Sequence, residues 1–190
     1  KNNKKNIRTR CSAILLKGSN SILIDTSPDI KNQLVDNSIK KLTSVIYTHE
    51  HADQTNGIFE LRPFFWNNKK EINVYGDSKT INVLKKRFNY CFKSMNGYRP
   101  ILKSNVIKKN KFDLLKNNNK INFTTVTALH GYINSLGYIF EKTAYISDCN
   151  GLSNKALRKL KNLKYLIIDC LKIKKHNSHF NLREAILISK

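Results

Sequence analysis

Short apolar runs broken by polar turns set the pattern of this chain, and long amphipathic stripes are few. Residues 12–16 and 21–25 are two such runs, and Lys17-Gly18-Ser19-Asn20 between them has the composition of a hairpin turn. The second run leads into Asp25-Thr26-Ser27-Pro28, where Pro28 suits the first turn of a helix capped by Ser27 and reaching about Val35. A third strand is expected over residues 44–48. A short helix should follow over residues 55–62, stopped by Pro63, then a strand over residues 72–75. Residues 77–90 read as a helix, with Ile81, Leu84 and Phe88 on one stripe. Residues 91–120 are rich in Lys and Asn without a clear period, and a surface loop or a lid-like insertion is expected there. The β pattern resumes over residues 121–128, 136–140 and 143–147, the last two joined by a hairpin about Glu141-Lys142. Ser153 should cap a helix to about Leu160, residues 165–168 read as a buried strand, and a last helix begins at Asn181. Two groups of strands, with helices between and after them, fit two facing sheets with helices outside. The reading is one domain over residues 1–190, with a basic arm at residues 1–10.

Candidate chemistry changes this picture at the ends of the strands. The third run delivers Thr48, His49, Glu50, His51 and Asp53. Side chains at i and i+2 share a face only in extended chain, so His49 and His51 can converge on one point if the strand end stays open. Two imidazoles and a carboxylate within five residues suit zinc and its first-row neighbours. The chain has only five histidines, which makes accidental clustering a poor account. The zinc-protease pattern HExxH is excluded, because Asp53 stands where its second histidine belongs. Asp25, His130, Asp148 and the stretch 176–179 also follow apolar runs, and strand ends are rigid mounts for ligands.

Charge alters the picture less than its size suggests. Lys and Arg total 35 against 13 acids, a net +22, which predicts salt-dependent attraction to polyanions. The lysines run along the whole chain and asparagine is abundant too, at Asn67-Asn68 and Asn117-Asn118-Asn119. A diffuse compositional bias is therefore favoured over a dedicated nucleic-acid surface. No apolar run approaches the roughly 18 residues of a membrane span, so no membrane is expected as a partner. Without a visible signal peptide, Cys11, Cys91, Cys149 and Cys170 read as reduced, mostly buried thiols of a cytoplasmic protein.

The motif His49-x-His51-x-Asp53, ahead of Gly57, resembles the metal motif of the metallo-β-lactamase fold hydrolases. The family pattern is HxHxDH, and Gln54 takes its last position here. Other segments resemble the phosphodiesterase branch of that family: Thr125-Val126-Thr127-Ala128-Leu129-His130-Gly131, Ser135-Leu136-Gly137-Tyr138 and Ala144-Tyr145-Ile146-Ser147-Asp148. The run Ile168-Asp169-Cys170-Leu171, followed by residues 176–185, resembles its histidine motif before a Glu-Ala-bearing helix. The branch contains tRNA 3′-processing nucleases and the cyclic-phosphate phosphodiesterases associated with phosphonate breakdown, and Asn6-Ile7-Arg8-Thr9-Arg10 is similar to the latter.

The resemblance implies an α/β (α+β) fold, a four-layer αββα sandwich, incomplete at both ends because the family's leading segment and final histidine ligand are absent. It implies that His49, His51 and His130 hold a first divalent ion, zinc before manganese or iron. Asp148 would bridge to a second ion, held also by Asp53 and the residue at position 54, Gln54. Asp25 would orient a ligand histidine, His179 would assist the leaving oxygen with Glu184 as its anchor, and His176 would be solvated. Asp53, His179 and Asp25 are then the catalytic candidates. The implied reaction is phosphodiester hydrolysis of a small cyclic phosphate or nucleotide, by metal-bound hydroxide attacking phosphorus. The alternatives are an RNA 3′-processing endonuclease, or a weakly active relative that binds RNA or a protein partner.

Overall fold

In the computed structural model, which describes residue 3 and residues 6–116 and 119–190, the apolar runs become strands of two separate sheets. Lys1, Asn2, Lys4 and Lys5 of the expected basic arm, and Asn117 and Asn118, lie outside the described residues. The chain divides into two compact units, Lys1–Val106 and Ile107–Lys190.

The first unit carries β1 (Ala13–Lys17), β2 (Asn20–Ile24), β3 (Ser44–Ile46), β4 (Ile72–Gly76) and β5 (Leu102–Val106) in that spatial order. The β1–β2 hairpin is antiparallel and turns at Gly18, whose φ of 55° an L side chain adopts only with strain. The pairs β2–β3, β3–β4 and β4–β5 are parallel. Parallel strands need crossover helices. These are α1 (Ile30–Asp36), then α2 (Ala52–Thr55) and α3 (Arg62–Asn68), then α4 (Ser78–Arg87) and α5 (Asn89–Phe92). Alternate strand residues Leu23, Val45, Tyr47, Ile72, Val74 and Leu102 share a core with Ile30, Leu34, Leu61, Phe64, Ile81 and Leu84 of the connections. The opposite-facing Ile22, Ile24 and Ile46 are buried as well, so these strands read as unbroken apolar runs.

The second unit carries β6 (Lys111–Lys116), β7 (Asn119–His130), β8 (Ile133–Phe140), β9 (Thr143–Ile146), β10 (Gly151–Leu152) and β11 (Tyr165–Ile168), with α6 (Asn154–Lys159) and α7 (Leu182–Ser189). Among the described residues the sheet runs β10-β7-β8-β9-β11, and β6 also pairs with β7. Only β9–β11 is parallel. Val126, Ala128, Ile146, Cys149, Ala156, Phe180 and Ala185 form one core cluster, while farther along the sheet Phe112 stacks on Phe123 and Tyr138 meets Phe123 edge to face.

Several expectations change. Pro63 does not stop a helix; it lies in the first turn of α3, where its missing N–H costs nothing. The helix after β2 starts at Ile30 rather than Pro28, and the Ser27 hydroxyl accepts from the Asp29 N–H at 3.2 Å just ahead of it. The helix expected over residues 77–90 breaks at Phe88, whose φ of −122° is not helical. Residues 91–120 hold the end of α5, all of β5 and β6 and the first residues of β7, with Lys103 and Lys111 at exposed strand positions and Asn105 bonded to Asn73 on the neighbouring strand. β11 is not buried: it is an edge strand, with Tyr165 57% and Ile167 52% exposed. No helix among the described residues is long and apolar enough to cross a membrane.

Candidate metal centre

In the first unit, strand order creates a relay. Asp25 follows β2 and Thr48 follows β3, and these two strands are parallel neighbours with Ile24 opposite Ile46. The Asp25 N–H therefore reaches the Ile46 carbonyl at 3.0 Å. This requires the left-handed conformation, φ 62°, which an aspartate tolerates better than most residues. The fully buried Asp25 carboxylate accepts the Thr48 N–H on Oδ1 and the Thr48 hydroxyl on Oδ2, both at 2.8 Å. A hydroxyl has one proton, and this one is committed to Asp25. The Thr48 oxygen, 3.0 Å from Nδ1 of His49, must then accept from that nitrogen. His49 is thereby held as the Nδ1–H tautomer, which leaves Nε2 as the ring nitrogen able to take a metal.

His49 and His51 come together as the extended chain requires, with ring centroids 4.6 Å apart and planes at 74°. His51 is still extended, φ −64° and ψ 151°, and is the N-cap residue of α2. Asp53 lies in the first turn of α2, and its Oδ2 accepts from the Gln54 amide at 3.2 Å. Gln54 is buried and its backbone carbonyl accepts the Thr26 N–H at 2.8 Å. The loop is also fixed from α4. Lys79 meets the Glu50 carboxylate at 2.6 Å, and Arg87 donates to the Glu50 carbonyl at 2.7 Å. Burial alone would raise the Glu50 carboxyl, but the Lys79 ion pair, a backbone hydrogen bond and the nearby His51 together outweigh it and lower the group.

The second unit repeats the device with other residues. Asp169 follows β11, parallel to β9, and its N–H reaches the Ile146 carbonyl at 3.0 Å. Its Oδ2 accepts the Cys149 N–H at 3.0 Å and Nδ1 of His179 at 2.8 Å, and its Oδ1 accepts the Leu171 N–H at 3.0 Å. Asp148, Asp169 and His179 each place a donor atom within 4.8 Å of the other two. His130, the last residue of β7, donates from Nδ1 to the Ser178 carbonyl at 2.6 Å, which leaves Nε2 as the nitrogen able to take a metal. Its ring meets that of His179, with centroids 4.9 Å apart. His176 is exposed and accepts from Ser178.

Glu184 does not anchor His179. It closes a capping box with Asn181 at the start of α7, with bonds of 3.1 and 3.0 Å. The anchor is Asp169, which sequence reasoning passed over together with Thr48 and Glu50. The available signal was the acid placed directly after an apolar run, the same one that drew attention to Asp25. The cysteines also divide differently from expectation: Cys91 and Cys149 are buried, and Cys11 and Cys170 are exposed. The donor set fits a divalent first-row ion. Imidazoles with fixed tautomers and carboxylates are borderline nitrogen and oxygen ligands, and no thiolate stands among them.

Comparisons with known proteins bear on the family. The profile described as "Beta-lactamase superfamily domain" matches residues 20–190. A diphosphatase of the PhnP family superposes with a TM-score of 0.86 at 28% identity, over 96% of this chain and 68% of that one. The metallo-β-lactamase fold protein YhfI of Bacillus subtilis gives 0.76 at 17% identity, over 97% and 75%. The short form of human tRNase Z gives 0.73 at 17%, over 97% and 82%. These last two speak for the fold alone. A curated relative, an octanoyltransferase of Porphyromonas gingivalis (strain ATCC BAA-308 / W83), is 30% identical over 183 residues. That match covers 94% of this chain and 36% of the relative, so the chain spans about a third of the relative's length.

Proposed function

Because the chain belongs to the β-lactamase superfamily, we propose that it is a metal-dependent phosphodiester hydrolase acting on a small cyclic phosphate or nucleotide. The observation that carries this reading is the His179–Asp169 pair at 2.8 Å beside Asp148. An imidazole whose Nδ1–H is fixed on a buried carboxylate presents Nε2 in one orientation. Protonated there, it can deliver a proton to a departing alkoxide oxygen. The likeness to a PhnP-family diphosphatase at 28% identity supports phosphorus chemistry. Octanoyl transfer is not proposed, since that name belongs to a protein of which the chain matches about a third.

The proposed metal ligands are His49, His51 and His130, with Asp53, Asp148 and Gln54 toward a second ion. When bound, divalent ions supply a water of lowered pKa and neutralise charge on the phosphate oxygens. The chain's own residues do the rest. Thr48 and Asp25 hold His49 in its ligating tautomer, the Ser178 carbonyl does so for His130, and Lys79 with Arg87 fixes the loop at Glu50. His179 moves the proton.

The test is hydrolysis of 2′,3′-cyclic AMP, whose departing oxygen is an alkoxide, by protein loaded with zinc or manganese, with metal content measured on the same samples. His179→Ala should lose about 10²–10⁴-fold in turnover with its metal retained. Loss of metal with an unchanged rate per ion would make His179 a ligand instead. No hydrolysis with either metal would sink the proposal.

A further inference from the structure

The exposed rings of the first unit gather around one guanidinium. Cζ of Arg62 lies 5.5 Å from the ring centroid of Phe59, 5.9 Å from Trp66 and 5.7 Å from Tyr98. Phe59 in turn meets Tyr90 at 5.8 Å. These rings are not core: Trp66 and Tyr98 are each 60% exposed, Tyr90 43% and Phe59 42%. Tyr98 is presented by a tight turn, Asn96-Gly97, both at positive φ, closed by paired backbone bonds between Met95 and Tyr98. Such a turn holds its ring over Arg62 without help from the core.

Arg62 is half-buried, yet its guanidinium makes no hydrogen bond or ion pair among the described residues. Glu60, the acid of the same segment, lines a groove with Pro63, Phe64 and Asn67. Its five guanidinium donors thus have no acceptor among the described residues, while aromatic faces beside them remain open. An apolar protein surface laid on this cluster would bury an uncompensated cation, which is costly. A ligand joining a flat aromatic ring to an anion answers both features at once, the ring by stacking and the anion by bonding to the guanidinium fork. Lys93 and Arg99, both exposed, flank the turn, and the net charge of +22 favours an anionic visitor.

We propose that Arg62, Phe59, Trp66 and Tyr98 form a nucleotide-binding platform, on which a base stacks while its phosphate bonds Arg62. The nucleotide is either free or part of a single-stranded nucleic acid. The platform does not depend on the hydrolase reading, because binding is read without turnover.

Trp66 is the only tryptophan of the chain, so its fluorescence reports on the platform directly. The full chain is titrated with AMP and with a short single-stranded oligoadenylate at fixed ionic strength, with adenosine and inorganic phosphate as comparisons. Saturable quenching is expected, from AMP if free nucleotides bind and from the oligonucleotide alone if nucleic acid is the ligand. Tyr98→Ala and Arg62→Gln should each weaken it roughly 5- to 150-fold, the range for losing one stacked base. Lys109→Gln, an exposed charge of the second unit, should leave it unchanged. Tyr98 is exposed, so its variant should keep the native circular dichroism even if Arg62→Gln does not fold. Absence of quenching, quenching equal in Tyr98→Ala, or phosphate competing as well as AMP while adenosine does nothing, would overturn the proposal.

Discussion

Asp25 and Asp169 hold the same place in two different sheets. Each follows a parallel strand, and each N–H bonds the last carbonyl of the neighbouring strand, Ile46 or Ile146, at 3.0 Å. Each carboxylate then takes a backbone N–H from the loop beyond that neighbour, Thr48 in one unit and Cys149 in the other. The remaining acceptor capacity orients a histidine, through the Thr48 hydroxyl for His49 and directly for His179.

Asp169→Asn should therefore lower phosphodiesterase turnover about 10–100-fold, the usual cost of losing a carboxylate behind a functional histidine. Asp169→Ala should in addition lower stability by about 1–3 kcal/mol, since the Cys149 and Leu171 N–H groups lose their acceptor. Steady-state kinetics and urea midpoints separate the two effects. Equal turnover in wild type and Asp169→Asn would mean that His179 needs no orientation.

Thr48→Val keeps the shape of a fully buried side chain and removes the hydroxyl that joins Asp25 to His49. Zinc affinity, measured by competition with a chromophoric chelator, should fall about 10–100-fold, and Thr48→Ser should restore most of it. If valine binds zinc as tightly as threonine, the relay does not set the tautomer.

Gln54 offers an amide oxygen where a histidine would offer imidazole nitrogen, a weaker donor for zinc. Protein equilibrated with zinc and desalted should retain closer to one ion than two per chain. Gln54→His should raise the second occupancy and the turnover together. Two tightly held ions in the unaltered chain would show that Gln54 is a competent ligand or is bypassed.

Gly57 marks a close backbone approach. A Cβ there would lie 2.0 Å from the Ser27 carbonyl oxygen and 2.6 Å from Ile30 Cγ2, and the Gly57 N–H bonds the Thr26 carbonyl. Gly57→Ala should cost about 3 kcal/mol, the upper part of the range for overpacking, because backbone must move rather than a side-chain tip. A thermal midpoint equal to that of the native protein would contradict this packing.

Thiol chemistry should follow burial. Burial pushes the Cys91 thiol up to about 11 and raises Cys149 as well. Both stay protonated in the folded state over a pH range where the unfolded chain has ionised. The folded state then binds more protons, so the Cys91 contribution to stability is complete below the ordinary thiol pKa and is lost as pH rises toward about 11, and Cys149 acts in the same direction. A thiol reagent at mild alkaline pH should modify Cys11 and Cys170 quickly, and all four only after unfolding. Four fast thiols in folded protein would contradict the burial.

The order of local elements and the chemistry-bearing residues could be read from the chain alone. Apolar runs ending in His49, His51, Asp53, His130 and Asp148 are local signals, and strand geometry by itself requires His49 and His51 to share a face. Turn chemistry is equally local, as at Gly18 and at the Glu141-Lys142 hairpin. Residues 102–106 and 111–116 were illegible because their lysines and asparagines mask the period, and only pairing with β4 and β7 makes them strands.

Partnership, by contrast, came from tertiary structure. His179 and Asp169 are ten residues apart, and Glu184 is nearer in sequence, yet Asp169 takes the histidine because β11 lies beside β9 and aims its end at Cys149 and His179. Thr48 links Asp25 to His49 only because β2 and β3 are parallel neighbours in one register. Pro63 could stop one helix or begin the next, and the core contacts of Phe64 and Phe65 decide for the second. Periodicity specifies which face a side chain takes within its own segment. Strand order and register arise from contacts between segments, and those contacts determine which carboxylate each histidine meets.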